Sequence, residues 1–92
     1  MQSETAETLA ILALAWLSGN DELLPVFLGA TGASLDDMKT RAEDADFLGS
    51  VLDFIMMDDA WVMAFCESQG LRYDEPMAAR QALPGGASPD WT

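Results

Sequence analysis

Ninety-two residues allow one small domain with a single core, and half of them are apolar, too many for a chain that stays disordered. Sixteen Asp and Glu against four Lys and Arg give a formal charge of −12, which weighs against a phosphate-gripping nucleic-acid surface and against adhesion to anionic lipid. With no histidine and one cysteine, the chain has no imidazole base, no internal disulfide and no cysteine metal cluster.

Apolar residues recur at spacings of three and four without sustained alternation, which predicts an all-α fold, a compact bundle of about six helices. The first helix is predicted from about Ser3, as N-cap, to Leu17, closing at Gly19. Its run Leu9–Leu17 is apolar on nearly every face, so it must be central in the domain or form a homo-oligomer contact. Nine apolar residues are too few to cross a bilayer. Glu4 and Glu7, with no Lys or Arg beside them, have the wrong sign for a secretory leader, so a soluble cytoplasmic protein is expected.

The second helix is predicted to start at Asn20, with Asp21 and Glu22 in its first turn, and to end near Gly32; Pro25, early in it, tightens or shifts the start. Ser34-Leu35-Asp36-Asp37 has the form of a capping box and opens a third helix, continuing to about Glu43. Asp44 or Asp46 caps a fourth, through Phe47, Val51, Leu52, Phe54 and Ile55. Asp58 or Asp59 caps a fifth, carrying Trp61, Val62, Met63 and Phe65 towards Gly70. A sixth runs from about Asp74 to Leu83 with Pro76 in its first turn. The Pro- and Gly-rich residues 84–92 are expected to be a flexible tail, leaving 1–83 as one helical domain.

The halves of that domain read alike. Sliding Ala13–Gly32 onto Val51–Gly70, an offset of 38, matches Leu14/Leu52, Asp21/Asp59, Phe27/Phe65 and Gly32/Gly70. Similar residues fall in step at Trp16/Phe54, Leu17/Ile55 and Leu28/Cys66. Two three-helix modules, about 3–43 and 44–83, are therefore expected to pack in pseudo-twofold relation. Gly32 and Gly70 should take the left-handed conformation that ends a helix. Leu35, Met38, Leu71 and Met77 should fold the short helices back over Phe27 and Phe65.

Leu14-Ala15-Trp16-Leu17, the acidic turn into Leu24-Pro25-Val26-Phe27-Leu28, and Thr31-Gly32 make up the first half of a pattern. Its second half is Phe47-Leu48, Val51-Leu52-Asp53-Phe54, Asp58-Asp59, Phe65, Gly70-Leu71 and Ala82-Leu83-Pro84-Gly85-Gly86. In this order, from about Leu9 to Gly86, the chain resembles a small family of bacterial all-helical proteins of unknown function. The resemblance implies a cytoplasmic helical protein and carries no activity, cofactor or partner to transfer.

The acidic clusters are the first place to look for chemistry. Asp44, Asp46, Asp58 and Asp59 could gather round a hard cation, and Asp44 even opens an Asp-x-Asp-x-x-Gly run ending at Gly49. Leu48 then occupies a ligand position and Ile55 stands where the bidentate Glu belongs, so no metal site is assigned. Eleven of the sixteen acids lie in or beside proposed helix starts, where they cap N–H groups and complement the dipole. Asp53 interrupts the apolar stretch Val51–Met57; it is either the solvated stripe of its helix or a core-face carboxylate needing Arg41, Arg72 or Arg80. Cys66, in register with Leu28 and beside Glu67, reads as a buried, inert thiol.

No catalytic residue and no cofactor is assigned. Met56-Met57 stands where the first module has the polar turn Ser18-Gly19, and two methionines in a turn mark a contact surface, together with Trp61 and Tyr73. The leading expectation is a non-enzymatic interaction or regulatory module with a protein partner. One alternative is an acidic DNA mimic that occupies a basic protein; another is a small carboxylate-based enzyme or divalent-cation-binding protein.

Overall fold

A computed structural model of the chain describes residues 1–83, and the expected tail at 84–92 lies outside them. Six helices and no strand occur among these residues: α1 (Ser3–Ser18), α2 (Leu23–Thr31), α3 (Leu35–Thr40), α4 (Ala45–Ile55), α5 (Asp59–Gln69) and α6 (Glu75–Ala82).

The centre is built by α1, α4 and α6. On α1 the buried positions are Ala6, Leu9, Ala10, Ala13, Leu14 and Leu17, the i, i+3, i+4, i+7 spacing of a broad helical stripe. Its three alanines let α4 and α6, the main neighbours of α1, come close. In α4 the buried set is Phe47, Leu48, Gly49, Val51, Leu52, Phe54 and Ile55, and from α6 Pro76 and Ala79 close the core. Burial of this set supplies the main driving force, at about 25 cal/mol per Å² of apolar surface removed from water. α1 is thus the central helix, yet Ile11 and Leu12 on its other side remain exposed.

The helix starts follow local chemistry. Asp44 Oδ1 accepts from Asp46 N at 2.9 Å, and Asp58 Oδ1 from Ala60 N at 2.8 Å, so Asp44 and Asp58 are the caps of α4 and α5. The capping box of α3 is complete: Ser34 Oγ accepts from Asp37 N at 3.2 Å, and Ser34 N donates to Asp37 Oδ2 at 3.0 Å. Gly32 and Gly70, at φ +73° and +69°, end α2 and α5 in the left-handed region.

Three boundaries differ from the sequence reading. α1 starts one residue earlier than a Ser3 cap allows, with Gln2 in the cap position and no side-chain bond there. α2 begins at Leu23, because Asn20 caps a tight turn first: its Oδ1 accepts from Glu22 N and Leu23 N at 3.1 and 3.0 Å. Asp21 and Glu22 occupy that turn, and Pro25 falls third in the helix, where an N–H has no helical partner to lose. α3 stops at Thr40, short of Glu43.

The pseudo-twofold repeat is not confirmed. Some reciprocal contacts fit it: Trp16 meets Phe65 at 5.7 Å between ring centroids, and the corresponding Phe54 meets Phe27 at 5.3 Å. Phe27 and Phe65 are both fully buried, as are Leu17 and Ile55. The short helices break the relation. α6 packs extensively on α1 and α4, whereas its counterpart α3 makes no comparable contact with any helix. Of the four residues expected to fold the short helices inward, Met38 is buried and Leu71 half-buried, while Leu35 and Met77 face solvent. A six-residue α3 has too little length to bury more than one long side chain.

Candidate functional site

No Asp, Glu, Lys or Arg among the described residues is fully buried. Asp53 lies on the solvated stripe of α4, and Arg80 reaches it from α6, donating Nε–H to Oδ1 at 2.7 Å. The Arg80 side chain is only 17% exposed. Its guanidinium covers Gly49, so close that a Cβ there would stand 2.9 Å from Nη1. This ion pair clamps α6 onto α4.

Asp44 divides its carboxylate between two jobs, Oδ1 capping α4 and Oδ2 meeting Arg41 Nη2 at 3.3 Å. The Asp46 N–H, foremost, and the Arg41 guanidinium hold its pKa below the ordinary value, against a smaller opposing effect of burial. Among the described residues no three Asp, Glu or Cys side chains come together in a way that could hold a metal ion.

Cys66 is fully buried, and its Sγ lies 3.4 Å from the Arg72 carbonyl. Burial, and then the charges of Glu75 and Asp74, push the thiol pKa up, the opposite of what a nucleophile needs.

The four residues assigned to a contact surface differ in exposure and in their partners. Met57 is 73% exposed at the α4–α5 turn, while Met56 beside it is half-buried against the core. Trp61 stacks on Phe54 at 4.8 Å and 24°, leaving part of its ring outside. Tyr73 follows the C-terminal end of α5 and folds back, its hydroxyl donating to Glu67 Oε2 at 2.7 Å. That bond, first, and the Glu67 charge raise the Tyr73 pKa. Met57 and the exposed part of Trp61 make a ledge beside the α4–α5 turn.

A second surface lies on α1 and the turn that follows it. An open depression of about 460 Å³ at the α1–α2 corner is lined by Ala15, Trp16, Gly19, Asn20, Asp21 and Glu22. Ala15, which lines it, also lies on the exposed side of α1, where Ile11 is 43% and Leu12 39% exposed. The signal was present: from Thr8 to Leu35 the only ionisable residues are Asp21 and Glu22. The run Leu9–Leu17, expected to be either central or a homo-oligomer contact, is buried on one side of α1 and bare at Ile11 and Leu12 on the other.

The family model described as protein of unknown function (DUF3572) matches residues 3–86. The chain belongs to this family. DUF3572 membership fits the all-helical fold and assigns no activity. No curated protein and no solved structure matches the chain. No single helix among the described residues is long and apolar enough to cross a membrane; α1 and α2, apolar enough as a pair, are bent by 115° at their junction.

Proposed function

We propose that this DUF3572 chain is a non-enzymatic interaction module that presents apolar side chains in an acidic field to a basic protein partner. The observation that carries the reading is the division of labour among side chains. Carboxylates are spent on helix starts and exposed ion pairs, while large apolar groups such as Met57, Ile11 and Leu12 are left in water. Met57 leaves most of its side chain in water, so the core draws little from it, and methionine adapts its shape to varied apolar partners. A net charge of −12 raises the encounter rate with a cationic protein. We place the module in the cytoplasm, where a lone reduced cysteine is at ease.

The test is capture of a partner from native extract, followed by reconstitution of the purified pair. Met57→Ser is the informative variant, because Met56 packs against the core and its replacement would confuse folding with binding. Met57→Ser should leave the fold unchanged and weaken the reconstituted complex several-fold. A partner that binds the variant as well as the native chain removes the Met57 ledge from the interface. A protein that turns over a small molecule on its own would refute the module reading itself.

A further inference from the structure

We propose that the outer stripe of α1 is a docking site for a cationic amphipathic helix of a partner protein. This rests on the reading of the chain as an interaction module, and it names the surface and the partner's chemistry. Thr8, Ile11, Leu12 and Ala15 are all exposed and recur at i, i+3, i+4 and i+7, so they line one side of the helix. The opposite side is occupied by the packed core. Down the helix the stripe runs into the depression beside Trp16 and Gly19. From Thr8 to Gly19 it extends roughly 16 Å, three turns of a facing helix.

Charge decides the occupant. No ionisable residue lies between Thr8 and Asn20, while Glu4 and Glu7 stand before the stripe and Asp21 and Glu22 after it. An apolar strip with carboxylates at both ends matches a helix with aliphatic residues at the same spacing and Lys or Arg flanking them. A second copy of this chain would bring another −12 of charge to the contact and set like charges against one another. An extended strand is disfavoured too, because the helix backbone is hydrogen-bonded internally and offers no edge to pair with.

The probe is a fluorescein-labelled 18-residue Leu/Lys peptide of helical periodicity, titrated with the full chain and followed by anisotropy. A peptide of the same composition in scrambled order and a Leu/Glu peptide serve as controls. The ordered Leu/Lys peptide should bind at least tenfold more tightly than the scrambled one, and the Leu/Glu peptide should not bind. Ile11→Ser with Leu12→Ser, which leaves the charge unchanged, should weaken the ordered peptide at least tenfold while retaining native circular dichroism. Asp21→Asn with Glu22→Gln should weaken it severalfold and flatten its dependence on NaCl. Met57→Ser, on the other surface, should not affect it.

Equal binding of ordered and scrambled peptides would reduce the effect to charge attraction and overturn the proposal. So would an Ile11→Ser, Leu12→Ser variant that binds as the native chain does, or a native dimer that this pair dissolves in analytical ultracentrifugation. Loss of peptide binding with capture of the native partner intact would sink this surface alone. Failure of both would remove the module reading with it.

Discussion

The contact between Gly49 and Arg80 gives a prediction whose sign is set by geometry. Gly49 is buried in the interior of α4, where alanine is favoured over glycine by about 1 kcal/mol. Substitution at an open position would therefore stabilise the chain. Here the new Cβ would stand 2.9 Å from Arg80 Nη1 and 3.0 Å from Cζ, against an ordinary contact distance of roughly 3.5–4.0 Å. The guanidinium must retreat by about 0.5–1 Å. It is mostly enclosed and anchored through Nε on Asp53, so the retreat weakens an ion pair of about 0.2–1 kcal/mol together with the packing round it. The two effects nearly cancel, and Gly49→Ala alone should change stability by no more than about 0.5 kcal/mol.

In an Arg80→Ala background the obstruction is gone, and Gly49→Ala should recover the full ~1 kcal/mol of helix propensity. Urea unfolding of the four proteins, followed by far-ultraviolet circular dichroism with the slope checked for constancy, measures the difference as a double-mutant cycle. A coupling of about 1 kcal/mol is expected, equivalent to roughly 4–8 °C in Tm for a chain of this size. If Gly49→Ala stabilises both backgrounds equally, Arg80 does not occupy that space, and the clamp between α4 and α6 is wrong.

Three further outcomes can be checked. Replacing Asp58 by Ala removes the cap of α5 and should cost about 1 kcal/mol in urea unfolding, whereas Asp58→Asn should cost little because asparagine accepts the same Ala60 N–H. Gly32→Ala and Gly70→Ala meet no neighbour within 4 Å but force a side chain into the left-handed region, so each should cost about 1–2 kcal/mol by the same unfolding measurement. Burial, then Glu75 and Asp74, raise the Cys66 pKa above its ordinary 9.0, so the thiol's contribution to stability is present in full below that value and is lost as pH rises through the folded-state value. Below pH 8 Cys66 should accordingly react with a thiol reagent only as fast as the chain opens, and Tm should decline above pH 9 by more in the native chain than in Cys66→Ala.

What the sequence disclosed best were features decided within a few residues. A Ser with Asp three places on, an Asp before an apolar run, and a Gly after one each act on backbone groups in their own turn. Asp44, Asp58, the Ser34–Asp37 box, Gly32 and Gly70 were legible for that reason. Asn20 shows the limit. Its side chain caps as read, but on a turn before the helix, and only tertiary context sets that extra turn. Apolar periodicity likewise foretold the burial of Leu17, Ile55, Phe27 and Phe65 and could not foretell that Leu35 and Met77 would face water. Those two depend on how α3 and α6 lie on the rest, and the two short helices are used differently. The matched apolar pattern carried no information about that asymmetry.

The candidate surfaces follow the same logic. Met57 was found because methionine in a turn conflicts with local expectation, and its exposure is a local matter. Ile11 and Leu12 lie in the run Leu9–Leu17, for which the sequence left a central helix and a homo-oligomer contact both open. Which part of an all-round apolar helix stays bare is decided by how many neighbours reach it. Here the heavily packed neighbours are α4 and α6, and both lie towards the alanine-rich stripe. Apolar side chains that the core does not cover lower solubility, and a net charge of −12 works against that by repulsion. In the proposed reading, acidity and the bare stripe are one arrangement: repulsion between copies would protect the apolar strip from its own kind and leave it open to a partner of opposite charge. The salt response separates this from mimicry of DNA. Contacts made mainly by carboxylates weaken steeply as NaCl rises, whereas an apolar stripe flanked by a few charges loses its steering and keeps most of its hold.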